Sequence, residues 1–158
     1  MTTYEHDHSK CIGKMQDLLS INIDSQRGFE EAASATKDLK LKSLFSEFSQ
    51  KRAMNASELR SYIASTGEKP TESGSMSGTL HRWWIDAKQT LTGNDATSIL
   101  NEAERGEDSI KHEYEKVLTD LPDPSLREIV ERQFRNVRES HDRVKALRDS
   151  YRARDPRG

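Results

Sequence analysis

The stretch TGEKPTESGS (residues 66–75) divides the chain and limits how its helices can be connected. It contains Gly67, Pro70 and Gly74, and both residue types favour turns and the ends of helices. The whole chain has four prolines, and long segments on either side of this stretch have none. Because proline strongly disrupts helix interiors, each of these proline-free segments can form a long helix.

Apolar residues recur at helical spacing in four long segments, two before this stretch and two after it. The pattern, at about 100° per residue, predicts helices over about 9–36, 40–66, 95–119 and 124–153. The connections at 36–40 and 121–125 are short, so each pair of helices is expected to form an antiparallel hairpin. Strand patterns are absent from the sequence.

A shorter amphipathic segment at about 76–92 lies between the two hairpins. A helix of about 17 residues is roughly 25 Å long, which is most of the length of such a bundle. Long crossovers of this kind are typical of ferritin-like folds, whereas simple up-down bundles have short loops. We therefore predict an all-α, ferritin-like four-helix bundle over 9–153, formed by two antiparallel hairpins with a helical crossover. Flexible tails are expected at 1–8 and 154–158, and irregular packing of five helices is the alternative.

The composition excludes several classes of protein. Lys plus Arg number 25 and Asp plus Glu 27, so the net charge of −2 does not favour nucleic acid. No apolar run approaches the roughly 20 residues that cross a bilayer, so membrane insertion is not expected. A single cysteine, Cys11, and a polar N-terminus without a signal-peptide core predict a cytoplasmic protein.

Polar residues interrupt the apolar faces of the predicted helices. In RAMNASEL (52–59), Arg52 and Asn55 stand where ferritin-like metal proteins have the Glu and His of a Glu-x-x-His pair. In an antiparallel hairpin, residues at equal distances in sequence from the turn lie level with each other. Counting in this way places further polar residues at a similar height in the bundle. This predicted layer comprises Asn22, Gln26, Arg52, Asn55, Glu107, Arg138 and His141.

Three interpretations of these residues remain open. They could form a hydrogen-bonded layer that fixes helix register, or be partly solvated residues at the edges of the apolar faces. They could also hold a divergent iron or manganese site at Glu30, Glu107 and His141. Since a guanidinium group cannot bind a metal and repels one, the layer is favoured over the metal site. No cofactor and no catalytic residue is therefore predicted.

Two other features carry weaker hypotheses. Trp83 and Trp84 lie about 100° apart on the predicted crossover helix, so one ring could anchor a dimer or a protein partner. Packing of both rings onto the bundle is the favoured interpretation. His6, His8 and Cys11 have metal-binding side chains, but the expected mobility of that segment offers no preformed geometry.

Four local strings resemble an uncharacterised bacterial family of ferritin-like four-helix-bundle proteins. They are GFEEAA (28–33), LHRWWIDAK (80–88), EAERGED (102–108) and HDRVKALRD (141–149). The resemblance extends over roughly residues 10–152 and implies the ferritin-like fold and a bacterial origin, with no established activity. The sequence thus favours a non-enzymatic structural, interaction or stress-associated protein, with an unknown protein or a second copy as partner. The alternative is a metal-binding oxidoreductase or iron/manganese-handling protein.

Overall fold

The computed structural model describes residues 3–72, 74 and 96–154, with side chains from residue 8 onward. Four helices occupy these ranges: α1 (Thr3–Ala35), α2 (Leu39–Ser65), α3 (Ala96–Thr119) and α4 (Pro124–Arg154). No strand occurs within them. The predicted all-α four-helix bundle is confirmed, and α1 begins before its predicted start at about residue 9.

Two aspartates set the starts of α2 and α4. The Asp38 side chain accepts hydrogen bonds from the backbone N–H groups of Lys40 and Leu41. Asp123 Oδ1 does the same for Ser125 and Leu126 at the start of α4. Each carboxylate satisfies N–H groups that have no partner within the helix, and this fixes both hairpin turns.

Helix α2 ends just before Gly67, within the stretch where the sequence predicts a break between helices. The N–H of Thr66 donates to the carbonyl of Ile63, and Gly67 follows with a φ of 88°. Side chains are strongly disfavoured at this φ, so glycine allows the chain to leave the helix here.

The contacts between helices establish an antiparallel arrangement of neighbours. Along α1 and α3, Lys10 pairs with Asp120 and Asn22 bonds Tyr114, so the two helices run in opposite directions. Helices α2 and α4 are likewise antiparallel, since Arg132 pairs with Glu58 and Arg143 with Glu47. As a result α2 ends, and α3 begins, at opposite ends of the bundle, which is the connectivity of a ferritin-like fold. The predicted crossover helix lies outside the described residues.

Two apolar clusters fill the bundle, and a polar layer separates them. One cluster includes Met15, Leu18, Leu59, Ile63 and Val130. The other, at the opposite end, is built around the rings of Phe29, Phe45 and Phe48 together with Leu41, Leu100 and Val144. On α2 and α3 the buried polar residues lie between the positions that contribute to the two clusters. The polar layer therefore lies near the middle of the bundle.

Candidate functional site

A buried ion pair between Arg52 and Glu107 forms the centre of the polar layer. Both side chains are 0% exposed. Arg52 Nη2 lies 2.7 Å from Glu107 Oε1 and 2.5 Å from Oε2, while Arg52 Nε donates to Ser25 Oγ at 3.2 Å. Helices α1, α2 and α3 thus meet at one guanidinium group. Its Nη1 atom is buried and has no hydrogen-bond acceptor among the described residues.

The charges of this pair depend on each other. Burial raises the pKa of Glu107, and the adjacent Arg52 guanidinium opposes that rise by favouring the carboxylate. Arginine remains protonated in proteins, so a neutral Glu107 would leave a lone cation in the core. The Arg52 guanidinium also lies 6.0 Å from the centre of the Phe29 ring, whose π-electrons attract a cation. Each partner therefore lowers the free-energy cost of burying the charge of the other.

A chain of hydrogen bonds extends through the layer toward the surface. Asn55 Nδ2 donates to Asn22 Oδ1 at 3.3 Å, and Asn22 Nδ2 donates to the Tyr114 hydroxyl at 2.8 Å. The Tyr114 hydroxyl in turn donates to Gln133 Oε1 at 2.8 Å. Gln133 Nε2 donates to Glu58 Oε1 at 2.7 Å, close to the surface of the bundle. Burial raises the pKa of Tyr114, so this phenol remains protonated and able to donate.

The structure brings together four of the seven residues of the predicted layer and places the other three, Gln26, Arg138 and His141, elsewhere. Asn22, Arg52, Asn55 and Glu107 are buried at the centre. Gln26 is only half-buried, and its backbone carbonyl accepts a hydrogen bond from the Ser49 hydroxyl.

Arg138 requires a correction, because it is exposed rather than inside the layer. Its guanidinium lies over the Phe134 ring, with 5.7 Å to the ring centre. The preceding residue, Val137, is fully buried, and one helical step of about 100° turns Arg138 away from the core. The prediction that Arg138 belongs to the polar layer is therefore wrong.

Sequence reasoning did not assign to the layer five buried residues with polar groups: Ser25, Ser49, Tyr114, Gln133 and Ser140. Gln133 and Ser140 lie three residues after Val130 and Val137 on the same face of α4, so their spacing carried a usable signal. Tyr114 was identified from its apolar spacing, but its hydroxyl links Asn22 to Gln133. Ser25 carried no comparable signal.

The hypothetical metal ligands Glu30, Glu107 and His141 do not form one set. Glu30 is exposed on α1, and both oxygens of Glu107 face Arg52. His141 is 12% exposed and faces acidic residues of α3 instead, with Nε2 2.7 Å from Asp108 Oδ1 and 4.0 Å from Glu104 Oε1. Its Nδ1 lies 3.2 Å from Asp142 Oδ1. Hence the histidine belongs to a second cluster, at the edge of the layer.

Several other predicted residues fall outside this geometry. Trp83 and Trp84 lie outside the described residues, and so does the side chain of His6. His8 is exposed on α1, whereas Cys11 is buried in the apolar core. None of the helices in the described ranges combines the length and apolar character needed to cross a membrane.

Comparisons with known proteins agree with the bundle architecture. Residues 10–120 match the family described as "Domain of unknown function (DUF2383)". Among solved structures, the chain is similar to a two-domain protein from Anabaena variabilis ATCC 29413 with DJ-1/ThiJ/PfpI-like and ferritin-like domains. The TM-score is 0.71 at 18% identity, and the match covers 91% of this chain and 36% of that protein. This chain thus spans about a third of the other protein's length, and the similarity shows the ferritin-like fold alone. No curated protein matches.

Proposed function

The chain belongs to the DUF2383 family of domains of unknown function, and from that premise we propose that it is a non-enzymatic ferritin-like bundle. In this proposal the Arg52–Glu107 ion pair takes the place of a dinuclear metal centre. The observation that carries the proposal is a fully buried guanidinium whose Nη2 contacts both oxygens of Glu107. The protein would then act through its shape and surface rather than through metal chemistry.

The chemistry of the layer supports this proposal. A dinuclear carboxylate site in a bundle needs a Glu from each of two helices and a Glu-x-x-His pair from each of the other two. In place of one such pair, α2 carries Arg52 and Asn55. A guanidinium has no lone pair available for a metal, and its fixed charge repels metal cations. Asn22 Oδ1 accepts from Asn55 Nδ2 and Asn22 Nδ2 donates to the Tyr114 hydroxyl, so both ends of the Asn22 amide have hydrogen-bond partners without an ion.

A structural or interaction role follows from the same features. Buried polar groups in a helical bundle can specify which helix faces meet, and a defined bundle offers a rigid surface to a partner. That partner is a protein or a second copy of the chain. We include in this proposal that the protein takes part in a stress response. Sedimentation equilibrium tests self-association directly. A mass that stays monomeric at high protein concentration would remove the dimer.

Metal analysis of the untagged protein tests the core of the proposal. We expect no dinuclear loading after anaerobic incubation with Fe²⁺ or Mn²⁺ and gel filtration. The matched variant is Glu107→Gln, which removes the one carboxylate that is buried among residues 8–72 and 96–154. Two metal ions per chain, lost in Glu107→Gln, would contradict the proposal and favour the metal-handling alternative.

A further inference from the structure

A second cluster of ionisable side chains lies on the outer side of the contact between α3 and α4. Glu104 and Asp108 are one helical turn apart on α3, and His141 faces them from α4. One ligand atom from each of the three lies within 4.8 Å of the other two. Two of the side chains are well covered, since Glu104 is 15% and His141 12% exposed. Asp108 is 59% exposed and can therefore adjust its position.

The hydrogen-bonding capacity of His141 indicates that a cation belongs in this cluster. Both ring nitrogens face carboxylates: Nδ1 faces Asp142 at 3.2 Å, and Nε2 faces Asp108 at 2.7 Å. A neutral imidazole carries one N–H, so only one of these contacts can be a hydrogen bond. At the other nitrogen, a lone pair would oppose a carboxylate oxygen. A positive charge between the two atoms, supplied by a proton or a metal ion, removes that conflict.

The surroundings resemble the support that metal ligands usually have. Glu104 Oε1 faces His141, while its other oxygen pairs with Arg148, which holds the carboxylate in place. Asp142 at Nδ1 would orient the ring with Nε2 toward the ion, as carboxylates do behind many metal-binding histidines. Three carboxylates surround the imidazole, whereas Arg148 is shared between Glu104 and Asp149. The cluster therefore retains an excess of negative charge.

From this geometry we propose that Glu104, Asp108 and His141 bind one divalent transition-metal ion of the zinc type. One imidazole nitrogen and two carboxylate oxygens form a ligand set that zinc accepts, with water completing the coordination. Tetrahedral zinc with bonds of about 2.0–2.1 Å needs ligand atoms roughly 3.4 Å apart. The distance from His141 Nε2 to Asp108 Oδ1 must increase from 2.7 Å, and the exposed Asp108 side chain can move to allow this. The distance from His141 Nε2 to Glu104 Oε1 must decrease from 4.0 Å. This site is separate from Glu107, so it does not depend on the function proposed above.

Isothermal titration calorimetry of the untagged full chain with Zn²⁺ tests the site. We expect one ion per chain, with affinity reduced at least about tenfold in Asp108→Asn and in His141→Ala. His112→Ala is the matched control, because His112 is an exposed histidine on α3 outside the cluster. A His6→Ala/His8→Ala double variant controls for binding by the N-terminal histidines. Both control variants should retain the wild-type affinity.

Three outcomes would overturn the proposal. The first is the absence of zinc binding by the wild-type chain, which would leave a proton as the only positive charge between the imidazole and the carboxylates. The second is wild-type affinity in Asp108→Asn and His141→Ala. The third is loss of binding in the His6→Ala/His8→Ala variant. Circular dichroism establishes that each variant is folded, and binding retained in Glu107→Gln separates this site from any metal in the core.

Discussion

Replacing Arg52 with methionine should destabilise the protein strongly, because it leaves the Glu107 carboxylate buried without its counter-ion. Both side chains are 0% exposed, and two of the contacts between them are 2.5 and 2.7 Å long. Removing one partner of such a pair typically costs about 3–5 kcal/mol. Two unit charges about 4 Å apart at an effective dielectric constant near 20 attract by about 4 kcal/mol, which agrees with that range.

This loss is large relative to the whole stability of a domain, which is typically about 5–15 kcal/mol. For a chain of this size, each kcal/mol changes Tm by about 2–4 °C, so Arg52→Met should lower Tm by roughly 6–20 °C. Urea denaturation followed by circular dichroism measures the free energy, and a thermal scan measures Tm. The matched control is Arg138→Met, an exposed arginine over the Phe134 ring, whose loss should cost no more than about 1 kcal/mol.

The pH dependence of Arg52→Met provides a second test. Without Arg52, the rise that burial imposes on the pKa of Glu107 loses its main opposing influence, the charge and hydrogen bonds of the guanidinium. At pH values above the ordinary pKa of glutamate, the unfolded variant has released the Glu107 proton, whereas the folded variant still binds it. Stability must therefore fall as pH rises through this interval, so the variant should be less destabilised at low pH than at high pH.

A double variant determines whether the two residues act as a pair. Arg52→Met/Glu107→Met removes both charges and leaves apolar side chains, a change that is often neutral or stabilising for a buried ion pair. We expect it to recover most of the stability lost in Arg52→Met. If Arg52→Met is as stable as Arg138→Met, or if the two losses simply add in the double variant, the reasoning about a coupled buried pair is refuted.

Three further changes test other parts of the structure. Tyr114→Phe removes the hydroxyl between Asn22 and Gln133 and should cost about 1–3 kcal/mol in urea denaturation, because buried amide atoms lose a partner; an unchanged midpoint would contradict the hydrogen-bond chain. Asp38→Ala removes the N-cap of α2 and should cost about 1 kcal/mol, with a loss within error contradicting the capping role. The Arg143 hydrogen bond and charge lower the pKa of Glu47, so this pair contributes stability above the unfolded-state pKa and loses it as pH falls through the folded-state pKa. Glu47→Gln should therefore flatten the acid side of the stability profile, by less than about 1 kcal/mol because the pair is exposed, and an unchanged profile would argue against the pairing.

The architecture was predictable from the sequence because helical periodicity and turn residues act locally. Gly67 and Pro70 marked the end of α2, and the short connection at 121–125 placed the start of α4 close to Pro124. These signals depend on a few neighbouring residues, so no knowledge of the tertiary structure was needed to read them. The height of Arg52 in the bundle also followed from counting residues away from the first hairpin turn.

The composition of the polar layer was only partly predictable, because side-chain direction depends on small rotations of each helix. An error of one position turns a residue by about 100°, and this separates exposed Arg138 from buried Val137. The sequence could not determine which of two arginines, Arg52 or Arg138, pairs with Glu107, and the structure shows that it is Arg52. The contact between His141 and Asp108 also depends on how α3 and α4 pack, which hairpin counting does not determine.

An X-ray structure of the protein loaded anaerobically with Fe²⁺, with anomalous data at the iron edge, tests the central claim most directly. The account predicts Arg52 Nη2 in contact with the Glu107 carboxylate, and no anomalous peak beside that carboxylate. A pair of iron peaks about 3.5–4 Å apart on Glu107, with the Arg52 guanidinium displaced from it, would contradict the replacement of a metal centre by an ion pair.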